Sequence, residues 1–185
     1  TNPFHKCGEL FKVRIVGETQ NLKVVDDVLF DKEMTRIIWC SPQKSGDFEI
    51  PPTVKTIDSC TFYCHSKLTS IAISNSITKI ADYTFNWCSS LETVIIPSSV
   101  VSIGKNAFYD CSSLKSVEIP DSVNSIGCCA FDGCTALTSV TIPKFVTSIG
   151  DCAFRYCSSL RTVTIPSGLS YSWNVFPDST TIIKY

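Results

Sequence analysis

A 23-residue period governs this chain from Ile50 onward. Ile50, Ile73, Ile96, Ile119, Ile142 and Ile165 stand at that interval without a slip, and all but Ile73 are followed by Pro. Phe62, Phe85, Phe108, Phe131 and Phe154 keep the same interval, as do Leu68, Leu91, Leu114, Leu137 and Leu160. So do Ile71, Val94, Val117, Val140 and Val163, and the pairs Val54/Ile57, Ile77/Ile80, Val100/Ile103, Val123/Ile126 and Val146/Ile149. The consensus reads I-P-x-x-V-x-x-I-G-x-x-A-F-x-x-C-S-S-L-x-x-V-x. One copy of this length has too little apolar surface to bury a core alone, so the copies must stack. The chain is therefore expected to fold as a solenoid.

Each copy can be read locally. In L-x-x-V-x-I-P the apolar residues alternate with small polar ones, the period-two pattern of a half-buried strand. Pro97, Pro120, Pro143 and Pro166 end that strand, because proline has no N–H to give a ladder. V-x-x-I is a second, shorter extended segment. Gly104, Gly127 and Gly150 follow it and read as turn positions needing φ > 0. A-F-x-x-C is too short for a stable helix and predicts a single helical or 3₁₀ turn.

The run Ile96 to Leu114, with its I-P-x-S-V-x-x-I-G-x-x-A-F-x-x-C-S-S-L sequence, resembles the BspA-like, or Treponema pallidum type, leucine-rich repeats. The resemblance covers residues 50–170. It implies a right-handed, curved leucine-rich-repeat solenoid with a parallel β-sheet on its concave face and short turns or 3₁₀/helical segments on the convex side. It also implies a cell-surface or extracellular setting, where such proteins are mostly associated with adhesion.

The first 49 residues join this scheme when the template is slid along them. Phe4, Cys7, Leu10, Val13 and Ile15 reproduce the Phe, Cys, Leu, Val and Ile slots, so the chain opens inside a repeat, as expected of a piece of a longer ectodomain. From Val24 to Phe30 and from Arg36 to Cys40 run two extended stretches around the polar Asp31–Thr35, which predicts a β-hairpin. The resemblance agrees, with Asp27 replacing the family's usual Gly. Past Gly168 the register drifts: Phe176 falls one residue short and Thr180–Ile183 offers a last strand. One domain is expected over 1–185: a partial repeat (1–17), a divergent repeat with the hairpin (18–49), five repeats (50–165) and a C-terminal cap (166–185).

Eleven cysteines are many for 185 residues. Cys7, Cys88, Cys111, Cys134 and Cys157 share one slot, three residues after each Phe, and His65 fills it in the remaining repeat. Disulfide ladder, metal tape and buried thiol column are the alternatives. Side chains in one column point the same way, which disfavours bridging and favours buried thiols. Cys60, Cys129 and Cys152 share a second slot, where Cys129 and Cys152 make the best-placed pair. Cys60, Cys64 and His65 lack a fourth ligand for zinc, so no metal is expected.

Catalytic chemistry finds little support. The two histidines, His5 and His65, have no nucleophile beside them that the repeat leaves free, and Asp26-Asp27 reads as a solvated turn. No phosphate loop, dinucleotide fingerprint, zinc-protease or nucleophile-elbow string occurs. Sixteen Lys+Arg against seventeen Asp+Glu give a net charge of −1, so no basic field exists for nucleic acid. Mean hydropathy is +0.17, yet no apolar run is long enough to insert in a membrane. Thr1-Asn2-Pro3 lacks a signal-like start. Neither enzyme activity nor a cofactor is expected.

Surfaces carry the remaining signal. Outward strand positions pair Thr93 with Ile95, Ser116 with Glu118, Ser139 with Thr141 and Thr162 with Thr164, two small and nearly uncharged columns suited to ligand contact or simply to water. Tyr63, Trp87, Tyr109 and Tyr156 follow the Phe positions closely. Exposed, they make a ridge of interface anchors; turned inward, they cover the core. A non-enzymatic module binding a protein or other macromolecule at a cell surface is expected, with a structural spacer as the competing reading.

Overall fold

The structure, a computed structural model, describes residues 12–15 and 21–185. Phe4, His5, Cys7 and Leu10, which carry most of the partial repeat, lie outside the described residues. The chain first forms β1 (Leu22–Val25), β2 (Val28–Asp31) and β3 (Arg36–Cys40), each antiparallel to the one before. The expected β2–β3 hairpin is present, but residues 24–30 are not one extended run. Asp26 and Asp27 take φ of 48° and 62°, and this left-handed pair turns the chain between β1 and β2. Two consecutive positive φ values match the right-handed twist of a two-residue hairpin, and aspartate tolerates them better than most residues.

Beyond the hairpins each repeat becomes one rung of a parallel β-solenoid. β4 (Gly46–Glu49) and β5 (Thr56–Ile57) open the series, followed by β6 (Leu68–Ala72) and β7 (Lys79–Ile80). β8 (Thr93–Ile95), β9 (Ser102–Ile103), β10 (Ser125–Ile126), β11 (Ser139–Thr141), β12 (Ser148–Ile149), β13 (Thr162–Ile165) and β14 (Thr181–Lys184) complete it. On the first face β4, β6 and β8 pair in parallel, and so do β11, β13 and β14. On the second face β7, β9, β10 and β12 form one unbroken parallel sheet.

The third repeat departs from expectation. Ser116–Glu118 forms no strand, so the first face is split between Thr93–Ile95 and Ser139–Thr141. Val117 still points inward, with Ser116 and Glu118 outward. The inward residues here retain some exposure, 6% at Val94 and 8% at Val117 against 0% at Ile71 and Val163. The second face holds the same rungs together through β7, β9 and β10.

The core is a set of columns, one residue per rung. Leu68, Leu91, Leu114, Leu137 and Leu160 are all fully buried. Beside them Phe62, Phe85, Phe108, Phe131, Phe154 and Phe176 stack with centroids 5.0–5.4 Å apart and planes 7–22° from parallel. Aromatic contact distance is shorter than that, about 3.5–4 Å between carbons, so the rings are slid past one another as their quadrupoles prefer. Phe176 joins the stack despite its missing residue, and Phe154 N–H still donates to Val175 O at 2.8 Å.

Two local expectations are corrected. No helix forms among the described residues; the A-F-x-x-C segment is a run of turns. Its amides alternate: Tyr63 and His65 donate three residues back in their own rung, while Phe62 and Cys64 donate to Thr84 and Asn86 in the next. Half the donors are thus taken by the neighbouring rung, which a helix would not allow. Gly104, Gly127 and Gly150 do not have positive φ. They are glycines because the rungs touch: a Cβ on Gly127 would lie 2.6 Å from Gly104 C and from Lys105 N. Backbone cannot yield as a flexible side chain does. Gly127→Ala is therefore expected to cost about 2–3 kcal/mol, an overpacking penalty, read as a lowered thermal unfolding midpoint. A midpoint shift of under a degree would show that the rungs part easily.

Candidate binding surface

The turn run gives one side of the solenoid an unusual backbone. In every repeat the residues two before and two after the Phe are left-handed: Cys60 and Cys64, Tyr83 and Trp87, Asn106 and Asp110, Cys129 and Gly133, Cys152 and Tyr156, with φ between 53° and 78°. A side chain there costs roughly 1–2 kcal/mol relative to glycine. Gly133 is the relaxed solution; Trp87 and Tyr156 are held against that cost, and both are prominent, 49% and 66% exposed.

The four aromatic candidates do not form one ridge. Tyr63, Trp87 and Tyr109 meet around a single cavity of about 430 Å³, joined by Tyr83, Asn86 and Asn106. Trp87 and Tyr109 rings lie 6.3 Å apart at 41°. Tyr156 belongs elsewhere, on a second cavity of about 550 Å³ beside Arg155, Asn174 and Trp173. Tyr63 and Tyr109 occupy one column, directly after their Phe, with Asn86 between them; Trp87 and Tyr156 occupy the next. Tyr83 and Asn106 escaped the sequence reading because they read as gaps in the slot that Cys60, Cys129 and Cys152 share, and Asn86 because its slot holds Tyr, Asn, Tyr, Asp and Arg in successive copies. Trp173 escaped it because it lies past the last regular repeat.

The two cavities differ in charge. No ionic side chain lines the first, and burial pushes the Cys60 thiol up, then Asp82 adds to the rise, so it is neutral. Around the second, Arg155 holds the buried Asp132 by Nε at 3.1 Å and Nη2 at 2.9 Å, and its guanidinium covers Tyr156 at 4.6 Å. Burial raises the Asp132 carboxyl, which Arg155 offsets. Asp110 is raised as well, by burial and then by Asp132.

The strand columns face outward in the central repeats. Thr93, Ile95, Ser116, Glu118, Ser139 and Thr141 are exposed, Ile95 at 58%, while Thr162 and Thr164 are half-buried. Lys115 Nζ meets Glu92 at 2.5 Å across this face, an exposed pair of little energetic weight.

Behind the cavities the cysteine column is buried. Cys88, Cys111, Cys134 and Cys157 are at 0% exposure, and each thiol donates to the carbonyl of the Phe 26 residues before it: 3.1 Å to Phe62, 3.2 Å to Phe85, 3.3 Å to Phe108 and 3.1 Å to Phe131. A protonated S–H is needed for that bond. Burial favours the neutral form too, pushing Cys157 up to about 12. His65 ends the column, its Nδ1 3.2 Å from Tyr63 O and its ring edge-on to Phe62. Burial lowers its pKa, so it is neutral there. Cys129 and Cys152 are half-buried free thiols. Among the described residues no group of three or more His, Cys, Asp and Glu is placed to hold a metal.

The sequence profile of the BspA type leucine rich repeat region matches in six copies, over residues 40–112 and 78–184. This chain belongs to the BspA-type leucine-rich repeats. Three solved structures show the same fold. Pneumococcal vaccine antigen PcpA matches with a TM-score of 0.78 and 25% identity over 89% of this chain. A leucine rich cell surface protein from Faecalibacterium prausnitzii matches with 0.70 and 30% identity over 90% of it. The T. pallidum leucine rich repeat protein matches with 0.67 and 22% identity over 88%. This BspA-type chain spans 42% of the PcpA chain, 51% of the Faecalibacterium chain and 78% of the T. pallidum chain. No curated protein sequence matches it significantly. No helix of the described residues is long and apolar enough to cross a membrane.

Proposed function

We propose that this chain is a non-enzymatic binding module of a cell-surface or secreted protein, recognising a protein or other macromolecule on a host or neighbouring cell. One observation carries the reading: Trp87 stands half exposed on left-handed backbone at a slot the repeat also fills with Gly133. An aromatic ring retained at a strained position has a use outside the fold, and Trp and Tyr are the residues that dominate interface energetics. The cell-surface neighbour from Faecalibacterium and the PcpA antigen support the setting. The outward columns from Thr93 to Thr164, in which Glu118 is the one charged residue, offer contact at low desolvation cost on another side of the same rungs.

Joint substitution of Trp87 and Tyr109 by Asn is expected to reduce attachment to cells or matrix at least about tenfold while leaving the unfolding midpoint within a few degrees. Asn fits left-handed backbone, which offsets lost packing at Trp87. Unchanged attachment by the folded variant would favour a second reading, a stiff spacer. The unbroken Phe and thiol columns suit that role.

A further inference from the structure

We propose that the cavity between Tyr63, Trp87 and Tyr109 is a saccharide-binding notch, selective for a neutral pyranose. This rests on the binding reading above and names the ligand class of the same surface. Tyr63 and Tyr109 share a column and stand two rungs apart, roughly twice the ~4.8 Å spacing of adjacent strands. Asn86 takes the place of a ring between them, so the column reads Tyr, Asn, Tyr and is notched at its centre. Trp87 leans over one side at 6.3 Å from Tyr109, and Tyr83 and Asn106 complete the rim.

The floor of the notch is chemically unfinished. Asn86 is only 4% exposed, yet its Oδ1 is buried without a hydrogen-bond partner. A buried amide left in that state costs about 1–3 kcal/mol, so it asks for an occupant that brings a donor. The cavity size, about 430 Å³, lies in the range of small-molecule sites. Its lining is aromatic faces plus amide and hydroxyl groups, with no ionic side chain.

Those requirements narrow the occupant. It must present an apolar face to aromatic rings and a rim that both donates and accepts. It carries no charge, since nothing there would compensate one. A neutral pyranose does all three: its C–H faces lie against rings, and its equatorial hydroxyls reach the Asn106 amide, the tyrosine phenols and, once the Asn86 side chain turns toward the notch, its Oδ1. A proline-rich peptide also packs on aromatic grooves, but proline has no N–H for the Asn86 oxygen. Phosphorylated or sialylated ligands bring a charge that the lining leaves unpaired. Asp82, which lies close enough to raise the Cys60 thiol, adds further repulsion.

Intrinsic tryptophan fluorescence of the Trp173→Phe chain tests this, because Trp39 is buried and Trp87 then reports. The probes are the methyl glycosides of glucose, galactose, mannose, N-acetylglucosamine and N-acetylgalactosamine, titrated to tens of millimolar, beside sialic acid and a proline-rich peptide. At least one neutral glycoside is expected to give a saturable change, weakened about tenfold or more by Asn86→Ala. Trp87→Phe serves as the second variant, read by calorimetry, since it keeps a ring and does not disturb the floor. No response to any neutral glycoside, a response only to the peptide or to sialic acid, or neutral-glycoside binding unaltered in a folded Asn86→Ala chain each overturns the proposal. Loss of cell attachment in the Trp87/Tyr109 variant without saccharide binding would sink this inference and leave the binding reading standing.

Discussion

Phe108→Ala is expected to destabilise the chain by about 3–5 kcal/mol, the range for emptying a buried aromatic site, and to lower the thermal midpoint by roughly 10 °C. Phe108 is fully buried and stacked on both faces, at 5.2 Å from Phe85 and 5.1 Å from Phe131. It also sits in the one repeat whose first-face strand is missing. Coupling in a solenoid passes only between neighbours. With the ring gone, the Phe column is interrupted between Phe85 and Phe131, and rungs two, three and four are held by the β7–β9–β10 pairing and the turn-side bonds with no strand ladder on the first face. Urea unfolding followed by far-ultraviolet circular dichroism is therefore expected to split into two transitions. Phe154→Ala, stacked between Phe131 and Phe176 in a repeat with paired strands, should cost as much and remain a single transition. A single transition with a loss below about 1 kcal/mol for Phe108→Ala would contradict this account.

Raising the pH past the ordinary thiol range is expected to unfold the chain cooperatively. Burial pushes Cys40 and Cys157 up to about 12, and Cys88, Cys111 and Cys134 upward as well. An unfolded thiol ionises near ~8.5. The folded state then binds more protons than the unfolded one, so stability falls as pH rises. The contribution is complete below about 8.5, declines from there, and is gone once the folded thiols ionise near 12. Each buried thiol removes about 1.4 kcal/mol per pH unit inside that window. The measurement is urea unfolding at several pH values between neutrality and pH about 11, comparing the natural chain with Cys157→Ala. The variant is less stable at neutral pH but should show a slope shallower by about 1.4 kcal/mol per pH unit. Equal slopes would mean that Cys157 is not held as a buried neutral thiol.

The stacking itself was legible because every core column is periodic in the sequence: Leu, Val, Ile, Phe and Cys each return to one slot. What was not legible is what occurs between rungs. Gly104, Gly127 and Gly150 look like turn residues in a single copy, and only the neighbouring backbone shows why a Cβ is excluded. The left-handed slots were hidden because Cys, Tyr, Trp, Asn and Asp occupy them in place of Gly. The aromatic candidates could be named from their proximity to each Phe, yet which side of the column they fall on needs the turn geometry. That is why Tyr156 parts from Tyr63, Trp87 and Tyr109. Asn86 was invisible for a simpler reason: a site formed by the absence of a ring leaves no motif.

The hydrogen bonds that join successive rungs all run along the stacking direction, on both strand faces and on the turn side. A molecule anchored at one end and gripped at the other would feel tension along that direction. Its bonds would then be loaded lengthwise and peeled one rung after another, not sheared together. Extension would begin at Ser116–Glu118, where one face has no strand ladder, while the offset phenylalanine stack still joins the rungs. Such a chain would yield gradually under load and recover by restacking, a mechanical property that follows from a single missing strand.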